Sequence, residues 1–278
     1  MEITLATARR PGERGAMTSP ANGAQPQASA IPAATLVLFR HPPQGGAPQL
    51  LMIERGAHMR FAAGAVVFPG GRIDPADRAL AAAVAPQLDP DDAAARIAAI
   101  RETLEETGLL AGVSQTVTVD LARSARDCLT EVGALGEMLD RFGLTLDLAA
   151  LVPFARWCPP WERAFDTRFY LADLGTGDVA LVEDGSETVH LFWASAQDTL
   201  GMIERGEARA LFPTVCNLER LAAFTSYAHA ATAAEALPPA LICPWIEAVD
   251  GIDHLCIPEN AGYPVTRRPL SETSRGGA

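Results

Sequence analysis

Metal-binding cysteine and histidine motifs are missing from this sequence. Its five cysteines and five histidines are scattered, with no C-x-x-C and no H-x-x-x-H, which argues against a zinc site. An odd set of dispersed cysteines (128, 158, 216, 243 and 256) reads as reduced, buried thiols of a cytoplasmic protein. No apolar run reaches the length of a membrane span free of charge or proline. Arg9, Arg10 and Arg14 are not followed by the apolar stretch of a secretory signal. Basic charge is scarce as well: the net charge is −12 and the isoelectric point about 4.9. A broad nucleic-acid surface needs a basic face, so none is expected. Small phosphorylated ligands stay open, because a metal ion supplies positive charge that the chain lacks. No internal repeat is present.

What is there suffices for a large core: 49% of 278 residues are apolar. Residues 1–30 read as a disordered leader rich in Ala, Pro, Gly and Gln, within which Met17 is an alternative start. Thr35–Phe39 and Leu50–Ile53, joined by Pro42-Pro43-Gln44-Gly45-Gly46, read as a hairpin of buried strands. Ala65–Phe68 is a further short strand ending at Pro69-Gly70-Gly71, where two glycines allow an unusual backbone path. Residues 75–88 are Ala-rich and helical. Asp89 or Asp91 caps a second helix, which runs to Thr107 and stops at Gly108. Residues 114–147 carry Leu121, Cys128, Leu129, Val132, Leu135, Met138, Leu139 and Phe142 at helical spacing, a helical insertion. Strands are expected at Leu151–Cys158, Phe165–Ala172 and Val189–Trp193. Helices are expected from Ser195 to Glu204 and over Thr214–Ala236. A terminal hairpin is expected over Ala240–Val249 and His254–Ile257, around Asp250-Gly251. The last ten residues are polar and expected to be disordered. Strands, an acidic helix, more strands and C-terminal helices give an α/β or α+β sandwich with a mixed sheet.

The second helix carries the chemistry. At about 100° per residue, Ile97, Ile100 and Leu104 fall on one stripe, and Glu102, Glu105 and Glu106 on the opposite side. Like charges at these spacings cost roughly 0.2–0.5 kcal/mol per pair. A helix that keeps three together, with only Arg101 as a local cation, makes sense around a hard divalent ion, which takes oxygen ligands.

Gly71, Asp77 and Arg101-Glu102-Thr103-Leu104-Glu105-Glu106-Thr107-Gly108-Leu109 resemble the Nudix box, G-x5-E-x7-R-E-U-x-E-E-x-G-U. The second half matches throughout. In the first half Asp77 stands where the family has Glu, and an Ala-rich segment lengthens the gap from Asp77 to Arg101 far beyond the family spacing. Residues 51–71, with Arg55, Arg60, Gly64 and Phe68-Pro69-Gly70-Gly71 in register, resemble a signature of coenzyme A diphosphatases, although Ile53 and Gly56 depart from it. The stretches around Arg156-Trp157, Phe165-Asp166-Thr167-Arg168 and Glu187–Trp193 resemble the peroxisomal-type coenzyme A and acyl-coenzyme A diphosphatases and their bacterial relatives. The likeness covers roughly residues 33–235.

The resemblance implies a Nudix α/β/α sandwich over residues 31–237, with insertions at about 78–92 and 114–147. A C-terminal hairpin extension at 238–268 would pack on it, and a tail would occupy 269–278. It implies Glu105 and Glu106 as ligands of Mg²⁺ or Mn²⁺, with Glu102 as ligand or general base. Further metal ligands would be the Gly70 carbonyl and an outlying acid, Glu187 or Glu183. Arg101 would pair with a box carboxylate and fix the helix, and Asp77 would be structural. Arg55, Arg60, Gly71, Arg156 and Arg168 would bind substrate, Arg55 and Arg60 by bidentate contact with phosphate and the Arg156 and Arg168 stretches by lining the pocket. His58 and His190 have no assigned role. The implied reaction is Mg²⁺-dependent hydrolysis of coenzyme A or acyl-coenzyme A to 3′,5′-ADP and (acyl-)4′-phosphopantetheine. The alternatives are another nucleoside diphosphate derivative such as ADP-ribose or NADH, and a non-catalytic Nudix sensor. The zinc cysteines and S-Q-P-W-P-F-P string of NADH diphosphatases are absent. The intact carboxylate set argues against a sensor. The expected partner is a small molecule, with no nucleic acid and no membrane; a homodimer is left open.

Overall fold

The computed structural model describes residues 30–56, 64–161, 164–176, 181 and 188–273. In chain order it runs β1 (Ile31–His41), β2 (Gln49–Arg55), β3 (Val66–Val67), β4 (Gly70–Arg72), α1 (Pro75–Val84), α2 (Pro90–Thr107), α3 (Val119–Val132) and α4 (Leu135–Phe142). After a short helical turn at Leu148–Ala150 come β5 (Val152–Trp157), β6 (Phe165–Thr176), β7 (Thr188–Ala194), α5 (Ala196–Glu204), α6 (Phe212–Leu221) and α7 (Tyr227–Ala236). The chain ends in β8 (Leu241–Ile242), β9 (Trp245–Val249), β10 (Ile252–Cys256), β11 (Arg267–Pro269) and α8 (Leu270–Thr273).

Eight strands form one mixed sheet, ordered β3-β2-β1-β6-β5-β8, with β4 paired to β1 and β7 to β2. The expected β1–β2 hairpin is present, but β1 shares that edge. Phe39 and Arg40 pair with β2, whereas Ala33, Ala34 and Thr35 pair with β4. The edge is therefore split, and the Pro69 carbonyl accepts from Leu36 N–H at 2.9 Å in the gap. The other edge of β1 pairs in parallel with β6.

The alternation of β1 divides the core into two. Leu36 and Leu38 face α1–α4 with Leu51, Tyr170 and the buried apolar residues of α2. Val37 and Phe39 face the opposite side with Met52, Phe154, Leu171 and residues of α5–α7. Successive side chains of a strand point to opposite faces, so a strand buried on both sides reads as a continuous apolar run. The result is the expected three-layer α/β/α sandwich. Cys128, Cys158, Cys216 and Cys256 are buried free thiols, and Cys243 is a half-buried one. Among the described residues no helix is long and apolar enough to cross a membrane.

Helix α2 lies against the sheet because its inward face is made of small residues. Ala93, Ala94, Ala95, Ala98 and Ala99 are buried together with Ile97, Ile100 and Leu104. Asp89 caps it, accepting from Asp92 N–H at 2.8 Å. Gly108 ends it in the left-handed region at φ 72°, where a Cβ is penalised. Ser195 caps α5 in the same manner as Asp89 caps α2.

Three expectations are corrected. The helix expected over Thr214–Ala236 is two, α6 and α7, because Ser226 accepts from His229 N–H at 3.1 Å and starts a new helix. The first strand of the expected terminal hairpin is also divided. Leu241 and Ile242 leave it to pair in parallel with Arg156 and Trp157 of β5, and only Trp245–Val249 pairs with β10. The end of the chain is ordered through Thr273: β11 adds a third strand to β9–β10, and Leu270 packs on the second core cluster.

These C-terminal elements are tied to the sandwich by a buried polar chain. Trp157 Nε1–H donates to the Tyr263 hydroxyl at 3.0 Å, which donates to Asn217 Oδ1 at 2.8 Å. Removing that hydroxyl leaves a buried donor and a buried acceptor unpaired, at about 1–3 kcal/mol each. Tyr263→Phe is expected to lower the urea midpoint accordingly; an unchanged unfolding curve would show that this hydrogen-bonded chain contributes nothing to stability.

Candidate active site

Arg101 lies in the middle of the site and is nearly buried. Its Nε donates to Asp77 Oδ1 at 3.0 Å and its NH2 to Asp77 Oδ2 at 3.0 Å. NH2 also donates to the Arg72 carbonyl at 2.9 Å. NH1 donates to Glu102 Oε1 and to Glu105 Oε2, each at 3.0 Å. One guanidinium therefore joins the glycine turn, α1 and the carboxylate face of α2. Burial works against its charge, but Asp77, Glu102 and Glu105 outweigh that and hold it well above its ordinary range.

Asp77 closes the long sequence gap in space. It sits in the first turn of α1, where its carboxylate also accepts from Asp74 N–H at 2.8 Å. Its side chain is only 1% exposed, consistent with the structural part expected for it. Residues 78–92 run out along α1 and return into the start of α2. Asp77 and Arg101 thus meet despite the 24 positions between them.

The glycines and the carboxylates fit one another. Gly70 N–H donates to Glu106 Oε2 at 2.9 Å. A Cβ on Gly71 would overlap the Glu102 carboxylate, and one on Gly70 would overlap the Ala34 carbonyl oxygen. Burial pushes the Glu102 carboxyl up to about 7, with Arg101 pulling the other way and the Glu105 charge adding to the rise. Burial also raises Glu105, again against the pull of Arg101. Such shifts mark negative charge held with too little compensation. Among the described residues no three His, Cys, Asp or Glu groups already stand together as a cage. The donor set nevertheless fits a hard divalent ion: three carboxylates on the last two turns of one helix, two of them steered by Arg101.

Not every expected residue arrives here. Arg55 ends β2 with a buried Nε that has no hydrogen-bond partner. Arg60, Glu183, Glu187 and His58 lie outside the described residues. Arg156 is held bidentately by Asp166, at 2.9 and 2.7 Å. Arg168 faces Asp92 at 3.5 Å and Asp89 at 4.0 Å, and Tyr170 donates to Asp92 at 2.8 Å. Asp92 precedes Glu105 by about 20 Å along the helix axis. Arg168 therefore secures the start of α2, at the far end from the carboxylates. Two contacts escaped sequence reasoning altogether: the Arg72 carbonyl under Arg101, and Arg126, whose Nε donates to the Glu105 carbonyl at 2.9 Å. A backbone acceptor leaves no mark in a sequence, and Arg126 belongs to a different helix.

Truncating Arg101 leaves Asp77 buried without its cation. Arg101→Met is expected to lose about 3–5 kcal/mol of stability in urea unfolding. The double variant Arg101→Met, Asp77→Leu is expected to regain part of it, because the orphaned charge is gone. A single variant as stable as the parent would show that the pair does not hold the helices together.

No family profile matches the chain. It is 26% identical over 234 residues to acyl-coenzyme A diphosphatase NUDT19 of Gallus gallus, covering 64% of this chain and 62% of that protein. The Homo sapiens protein of the same name is 26% identical over 238 residues, covering 66% and 63%. The chain thus spans less than two thirds of the length of either curated relative. The crystal structure of a NUDIX hydrolase from Alicyclobacillus acidocaldarius is 33% identical. It superposes with a TM-score of 0.61 over 74% of this chain and 96% of its own. That likeness, at 33% identity, extends over almost the whole of a solved relative, so this chain belongs to the Nudix hydrolases.

Proposed function

We propose that the enzyme cleaves the diphosphate of coenzyme A or acyl-coenzyme A, using Mg²⁺ or Mn²⁺, to 3′,5′-ADP and (acyl-)4′-phosphopantetheine. The observation that carries this reading is where the described ends of residues 51–71 lie. The stretch that resembles the coenzyme A diphosphatase signature leaves β2 at Arg55. It ends in the Gly70-Gly71 turn, which touches Glu106 and Glu102. A diphosphate held at the Gly70-Gly71 end of the stretch would lie beside the carboxylate face. The names of the two curated relatives agree with this substrate class.

In the proposed mechanism Glu105 and Glu106 would hold the divalent ion, with the Gly70 carbonyl and Glu187 as further ligands. When bound, the ion neutralises diphosphate charge and lowers the pKa of water. Glu102, either a further ligand or the base, stands beside Gly71. As base it accepts a proton from the attacking water. Water oxygen bonds to one phosphorus, the bridging P–O bond breaks, and the second phosphate leaves with the electron pair. Arg101 reaches no substrate in this scheme; it keeps Glu102 and Glu105 on one side of the helix. Arg55, Arg60 and Gly71 form the proposed substrate contacts. Arg156 and Arg168 are engaged by carboxylates and are left out.

Incubation with Mg²⁺ and a panel of coenzyme A, acyl-coenzyme A, ADP-ribose, NADH and nucleoside triphosphates, with products identified by mass, tests the substrate. The expected products are 3′,5′-ADP and a phosphopantetheine. Cleavage of ADP-ribose but not coenzyme A would overturn the substrate, and no cleavage of any compound would favour a binding protein. Glu105→Gln and Glu106→Gln are expected to keep the circular dichroism of the parent and to lose turnover by orders of magnitude. Undiminished activity in either would remove that residue from the metal site.

A further inference from the structure

The last turn of α2 poses an electrostatic problem that the helix does not solve itself. Glu105 and Glu106 sit where the unpaired carbonyls of a helix end concentrate negative charge, and that turn contains no basic residue. The Leu104 carbonyl accepts from Gly108 N–H at 3.0 Å. In a continuing helix the Glu105 carbonyl would accept from Leu109 N–H. That group instead donates to Thr107 Oγ1 at 3.2 Å. The Glu105 carbonyl is taken by Arg126 Nε of α3, at 2.9 Å.

Helix α3 is a firm support. Ala122, Ala125, Cys128 and Leu129 are buried in the same cluster as Ile97, Ile100 and Leu104. The α3–α4 insertion is closed at its neck. Ser114 N–H donates to the Thr145 carbonyl at 2.9 Å, and Asp147 N–H to the Gly112 carbonyl at 2.8 Å. The Gln115 side chain donates to the Gly143 carbonyl and accepts from Thr145 N–H.

We propose that Arg126 is a positioning residue for the carboxylate turn. By fixing the Glu105 peptide from outside the helix, it sets the direction in which the Glu105 and Glu106 side chains leave it. The inserted hairpin thereby becomes part of the metal-binding apparatus. This rests on the proposed function in one respect, that Glu105 and Glu106 are metal ligands. Charge alone makes the opposite prediction, since a guanidinium beside the site repels a divalent cation and its removal would tighten metal binding.

The test uses the full chain and Mn²⁺ alone, with bound and free ion separated by electron paramagnetic resonance, alongside kcat and KM on whichever panel compound is cleaved. Arg126→Met is expected to weaken Mn²⁺ binding by about tenfold to a hundredfold, the range for residues that orient metal ligands. It is expected to lower kcat more than it raises KM. Arg126→Lys, which keeps an N–H donor and the charge, is expected to recover part of both losses. Should Arg126→Met fail to fold, Arg126→Gln is read in its place, with a smaller loss in the same direction expected. A folded Met or Gln variant with unchanged or tighter Mn²⁺ binding overturns the proposal alone if the parent binds Mn²⁺ normally. A parent that neither binds Mn²⁺ nor turns over substrate overturns the reading of the site as well.

Discussion

The rest of the site depends on one buried guanidinium. Arg101 touches three carboxylates and a backbone carbonyl, and without it each partner would be costly where it lies. Asp77 would be a buried charge, and Glu102 and Glu105 would be two like charges one turn apart. Burying charge is tolerable only when it is paired and hydrogen-bonded. The same arrangement leaves Glu102 and Glu105 raised. Arg101 compensates the carboxylates incompletely, and what remains is a demand for further positive charge. On the proposed reading, a bound divalent ion would supply the charge that Arg101, occupied with Asp77, does not.

The sheet supplies the second constraint. Because β1 shares one edge between β2 and β4, the Pro69-Gly70-Gly71 turn lies in a split of the sheet. There its backbone, with no Cβ in the way, meets the last turns of α2. The split and the helix are separate features of the fold, and the hydrogen bond from Gly70 to Glu106 joins them. The long stretch between Asp77 and Arg101 is compatible with this geometry. Its residues extend away from the junction as α1 and the first turns of α2, leaving the two ends in contact.

What the sequence made legible was local. The caps at Asp89 and Ser195, the stop at Gly108, the apolar stripe of α2 and the alternation of β1 all follow from residues a few positions apart. The carboxylate face of α2 and its glycine turn were legible for the same reason. The misreadings are longer-range or depend on context. The apolar content of residues 214–236 continues across the break, and only the Ser226 cap reveals two helices. Leu241 and Ile242 look like part of a hairpin until β5 is seen to offer them a parallel edge. The polar tail is ordered because β10 pairs with Arg267–Pro269. The pairing of Arg156 with Asp166 and of Arg168 with Asp92 likewise has no local sign in the sequence. Arg126, on a separate helix, carries no local sign that it reaches Glu105.

The most direct measurement is anomalous scattering from crystals soaked in Mn²⁺. The expected result is an ion among Glu102, Glu105 and Glu106, against the Gly70-Gly71 turn, with Arg101 still holding Asp77. An ion bound elsewhere with these three carboxylates left as they are, or an ion that displaces Arg101 from Asp77, would contradict the view that a structural cation prepares this face for a catalytic one.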